Sequence, residues 1–118
     1  MRTIIALALT FAASGALADE LGDARKLALQ GRDSYWNCLA REYQNDGTRN
    51  MSARDFTADI ASICPSERQN FRVMLVDFLS QQFPDADAGS HLTTANNAIA
   101  SAQKDVITAF IKHRAALK

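Results

Sequence analysis

The sequence predicts an all-α fold: a small four-helix bundle with one intrachain disulfide, following an N-terminal signal peptide. Three observations carry the prediction. Apolar residues recur at helical spacing in four segments. Capping, turn and proline signals separate those segments. No stretch shows the two-residue alternation of a strand bounded by turns.

The first eighteen residues read as an export signal. Arg2 gives the basic start, an uncharged run from Ile4 to Ala13 follows, and Ala16-Leu17-Ala18 forms a small-x-small exit before Asp19-Glu20. Cleavage after Ala18 is expected, with residues 19–118 forming one helical domain. That cut removes Arg2 from 13 basic residues and nothing from 13 acidic ones, so the mature charge is −1. A strongly basic nucleic-acid binder is excluded by this balance. No later apolar run approaches the ~18–20 residues needed to cross a bilayer, so no stable membrane insertion is expected after cleavage. The expected location is the periplasm of a Gram-negative host, and otherwise the extracellular space.

The first helix is predicted over Leu21 to Tyr43. Leu21, Ala24, Ala28, Tyr35, Cys38 and Leu39 fall on one side, and Asp23, Lys26, Gln30, Asp33, Asn37 and Arg41 fall opposite. Gly31 interrupts at a cost of about 1 kcal/mol relative to Ala. The phase survives it, so one helix is expected, with a break near Gly31–Ser34 as the alternative. Gly31 lies toward the apolar side, where it would let a neighbour approach closely. Asn45-Asp46-Gly47 then supplies turn chemistry.

Ser52 is the expected N-cap of the second helix, whose stripe is Phe56, Ile60, Ile63 and Cys64. Pro65 ends it. Ser66-Glu67-Arg68-Gln69 reads as a capping box opening the third helix. Its expected core stripe is Phe71, Met74, Leu75, Phe78 and Leu79, closed by Phe83-Pro84. The last helix is expected from Ser90–Thr94 onward, with Leu92, Ala95, Ile99, Ala102, Val106 and Phe110 on its buried face. Short connections would make sequence neighbours antiparallel.

The mature part holds 8 Leu, 5 Ile, 3 Val and 5 Phe, just above the ~20% below which chains tend to stay disordered. Extra fastening would therefore help, and an exported chain with two cysteines favours a Cys38–Cys64 disulfide. By the loop-entropy model its ring adds on the order of 3.5 kcal/mol. A tight hairpin would set these cysteines at different heights, so the Gln44–Met51 connection must be slack or the helices must cross at an angle.

Candidate chemistry is sparse. The cysteines lack redox, haem and zinc spacing. His91 and His113 have no ligand-type neighbour at helical spacing, and both are expected at the surface, partly covered. Asp85 and Asp87 lack the spaced ligands of a calcium loop. No nucleotide-binding or hydrolase motif occurs. Neither a metal nor a cofactor is expected, and no catalytic residue is assigned. Lys104, Lys112, Arg114 and Lys118 on the last helix fit dipole complementarity and solubility better than an anionic partner.

One excess stands out. Leu29, Trp36 and Tyr43 recur every seven residues beside the core stripe of the first helix, with Arg25 and Arg32 between row and stripe. This row widens the apolar sector well beyond the ~100° of an ordinary surface helix. Central packing would explain it. A contact seam for a protein partner or a second copy also would, because Trp, Tyr and Arg are typical anchors. The expected function is non-enzymatic: protein–protein interaction of an inhibitor, adaptor or chaperone kind. The alternative is a small-ligand carrier with a pocket between helices.

Overall fold

The computed structural model describes residues 2–116, with side chains described for residues 18–115. The stretch read as an export signal, residues 1–18, falls outside those side chains save for Ala18. The chain runs through α1 (Arg2–Tyr43), a 3₁₀ turn (Asp46–Thr48), α2 (Ala53–Ser62), α3 (Pro65–Gln82) and α4 (Ala88–Ala116). Among the described residues there is no strand. The all-α expectation holds, as does the disulfide, with Cys38 and Cys64 joined at a Cα–Cα distance of 6.2 Å.

Continuity of α1 through Gly31 settles the alternative of a break. Its buried positions are Ala24, Ala28, Gly31, Tyr35 and Leu39, spaced by three or four residues. A Cβ on Gly31 would stand 3.1 Å from the Phe71 Cα, so the glycine sets how closely α1 and α3 approach.

The three long helices form the bundle. α1 packs chiefly along α3, α3 along α4, and α2 against α4. Gly31 meets Phe71 while Leu21 lies beside Phe78 and Gln82, so α1 and α3 run antiparallel. Arg72 Nε donates to Asn96 Oδ1 at 2.9 Å, and His91 reaches back to Phe83, so α3 and α4 are antiparallel too. α4 therefore runs alongside α1 in the same direction, and Gln103 Nε2 donates to Tyr35 Oη at 2.9 Å between them. The short α2 closes one end, its Phe56 stacked on Phe110 of α4 at 3.9 Å and 9°.

This arrangement corrects the expected α1–α2 hairpin. The connecting segment is a built turn. Thr48 is buried, and its Oγ1 donates to Glu42 O (3.1 Å) and Asn45 O (2.7 Å). Asn45 Oδ1 accepts from the Gly47 amide at 3.0 Å. That turn carries the chain away from α1 and onto α4. The height mismatch of the cysteines disappears with it. Cys64 lies beyond α2, at a left-handed corner (φ 57°) just before Pro65, and the disulfide ties this corner directly to α1.

The three helix starts after α1 are built differently. Ser52 Oγ accepts from the Asp55 amide at 3.0 Å, as predicted. The Ser66–Gln69 capping box does not form. Pro65 takes the first helical position, Cys64 caps without a side-chain bond, and Gln69 Oε1 accepts from Arg72 instead. α4 begins at Ala88, earlier than predicted, with Asp87 Oδ1 accepting from the Ser90 amide at 2.6 Å. The early start shifts the buried stripe to His91, Ala95, Ile99, Ala102, Val106 and Phe110. His91 is only 5% exposed, with Nε2 3.1 Å from Phe83 O, while Leu92 is 46% exposed. Both the surface reading of His91 and the core reading of Leu92 are thus corrected.

Candidate functional site

α1 and α3 do not close over one another along their whole length. Ala28 of α1 and Ala98 of α4 are too small to fill the space between them, leaving a hollow of about 260 Å³. Phe71, Leu75 and Phe78 wall it on the α3 side. Leu29, 40% exposed, stands on the α1 side with Arg25 and Arg32. A second hollow, about 610 Å³, begins at Leu21 and Gly22 and shares Arg25 and Phe78 with the first. Together they make one groove from Leu21 to Arg32, about 16 Å at 1.5 Å per residue.

Of the five residues singled out from sequence, the structure brings Arg25, Leu29 and Arg32 together on this groove. It does not bring Trp36 or Tyr43 there. Trp36 is half-buried and packs against the central core. Tyr43 lies at the far end of α1, edge-on to Phe110 (6.5 Å, 83°) and to His113 (6.0 Å, 61°). It lines a separate cleft of about 240 Å³ with Asn45, Arg49, Phe110, His113 and Arg114. The seven-residue row is therefore three environments. Each seven-residue step adds about 20° of drift on a straight helix, and the neighbours of α1 change along its length.

The α3 wall was missed because Phe71, Leu75 and Phe78 were assigned wholly to the core. Phe71 is buried, but Leu75 and Phe78 are only half-buried and open onto the groove. A signal was available. Seven of the ten residues from Phe71 to Ser80 are apolar, too many for one face of a helix in so small a bundle.

The electrostatics of the groove are lopsided. Arg25 makes no ion pair among the described residues. Arg32 pairs with its neighbour Asp33 at 3.2 Å, with both side chains at least half exposed, and such pairs are worth at most about 1 kcal/mol. Both guanidiniums are therefore available to a partner.

Elsewhere, the Glu42 and Asp59 carboxyls meet between α1 and α2. Their hydrogen bond first, then burial and the Asp59 charge, hold the Glu42 carboxyl above its usual range, opposed by a bond from Asn45. With both carboxyls ionised Asp59 Oδ2 is buried without a hydrogen-bond partner, and a protonated Glu42 supplies the donor that Asp59 otherwise lacks. Among the described residues, one cluster has metal-ligand atoms close together: Cys38, Cys64 and Glu67. Its sulfurs are bonded to each other and offer no thiolate. No described helix is long and apolar enough to cross a membrane. No protein-family model, curated protein or solved structure matches this chain.

Proposed function

We propose that this chain is a non-enzymatic, exported binding protein, and that its working surface is the α1–α3 groove. The observation that carries this reading is Leu29, exposed beside Leu75 and Phe78, with Arg25 and Arg32 two helical turns apart. The partner it fits is an amphipathic helix of another protein. Its apolar stripe would lie against Leu29 and Phe78, and its carboxylates would meet the two arginines. A groove of about 16 Å accommodates about three helical turns, enough for anchors at i, i+3, i+4 and i+7. A second copy of this chain fits less well, since it would bring two more arginines to the same face.

Crosslinking tests the reading. A photoreactive side chain at position 29, and separately one at position 104 on α4, is introduced into the chain in its own host. Adducts from position 29 should contain a segment with acidic residues about two turns apart, and position 104 should give none of it. Equal capture from both positions would defeat the proposal. An adduct with a second copy of the chain would replace it with self-association.

A further inference from the structure

The cleft at the opposite end of the bundle has different chemistry. Its floor is Arg114, whose Nη1 donates to Met51 O and whose guanidinium carbon lies 5.5 Å from the centre of the Phe110 ring. These two contacts fix a planar, five-donor group while using one of its N–H bonds, so the rest of the fork is held ready. Among the described residues Arg114 has no carboxylate partner. Arg49, also on the lining, pairs with Asp46 at 3.2 Å in a contact exposed on both sides and worth little, so it adds a second cation beside Arg114. The walls are the Tyr43 and Phe110 rings, set nearly at right angles.

Two of the last four carbonyls of α1 are already hydrogen-bonded, which lessens the opposition of this helix end to an anion. Ala40 O accepts from the Gln44 amide, and Glu42 O accepts from the Asn45 amide and from Thr48 Oγ1. Size narrows the ligand further. A dry cavity of about 150 Å³ takes up benzene, so about 240 Å³ accommodates a ring with a carboxylate and little more.

We infer that this cleft binds a small carboxylate carried on a flat apolar body, the carboxylate on Arg114 and the body against the Tyr43 ring, which itself packs edge-on to Phe110. The site is independent of the α1–α3 groove, and neither reading depends on the other.

Benzoate is the probe. Titrated into the full, disulfide-bonded chain, it should give saturable amide shifts confined to the neighbourhood of Tyr43, Asn45, Phe110 and Arg114. Benzamide has the same shape without the charge, and acetate has the charge without the ring. Each should bind about tenfold more weakly or worse. Arg114→Lys keeps the charge but loses the fork, and should weaken benzoate several-fold. The comparison of three probes on the unaltered chain does not depend on how that variant folds. Equal response to benzoate and benzamide would overturn the inference. So would benzoate shifts that are unsaturable, or spread over basic residues such as Lys104 and Arg25.

Discussion

Gly31 of α1 lies so close to Phe71 of α3 that a methyl group at position 31 would stand 3.1 Å from the Phe71 Cα. The obstacle is backbone, not the tip of a side chain, and cannot swing aside. Gly31→Ala gains about 1 kcal/mol of helix propensity but forces the main pair of helices apart, at about 1–3 kcal/mol. A lowered thermal midpoint is expected. A raised one would show that α3 yields.

The Cys38–Cys64 bond joins α1 to the corner between α2 and α3. Reduction should lower stability by about 3 kcal/mol. Denaturant titration with and without reductant, or of a Cys38→Ser/Cys64→Ser variant, measures it. Coincident curves would mean that the corner is held by packing alone.

Glu42 supplies a pH dependence opposite to that of most carboxylates. Its folded pKa is raised, above all by the hydrogen bond with Asp59, so the fold favours the protonated acid. The contribution is complete below the ordinary glutamate range and is lost as pH rises through the raised value. Glu42→Gln keeps the shape and removes the charge. It should raise the thermal midpoint by a few degrees at pH 7 and leave it nearly unchanged near pH 4. A loss of stability at pH 7 would contradict this.

Trp36 and Leu29 share a sequence row but should behave differently. Trp36 is half-buried on the core, so Trp36→Ala should cost about 2–3 kcal/mol, less than the 3–5 of full burial. Leu29 is exposed on the groove, so Leu29→Ala should change stability by less than about 1 kcal/mol. Chemical denaturation of both variants decides this.

The helices and the disulfide were legible because they rest on local signals: apolar period, Pro65, Ser52 and cysteine parity. Which helices touch was not local. Asn45-Asp46-Gly47 reads as a turn by composition, but its direction is not in the composition: Thr48 is buried there and the turn carries α2 onto α4. His91 was misplaced by one assumption, that α4 starts at Ser90–Thr94. Recognising Asp87 as the cap puts His91 four residues before Ala95, in phase with the core. The groove was half legible. Arg25, Leu29 and Arg32 declared themselves on one helix, while its far wall on α3 depended on how much of Leu75 and Phe78 the bundle leaves uncovered.

The central claim is that the α1–α3 groove receives an acidic amphipathic helix, and charge reversal tests it most directly. Two synthetic helical peptides share one leucine stripe and differ only in carrying Glu or Lys at two positions seven apart. Their affinities are measured by calorimetry against the unaltered chain and against Arg25→Glu/Arg32→Glu. The Glu peptide should bind the unaltered chain about tenfold or more tightly than the Lys peptide, and the preference should invert on the variant. Equal affinities for both peptides on both proteins, or no binding by either, would contradict the account.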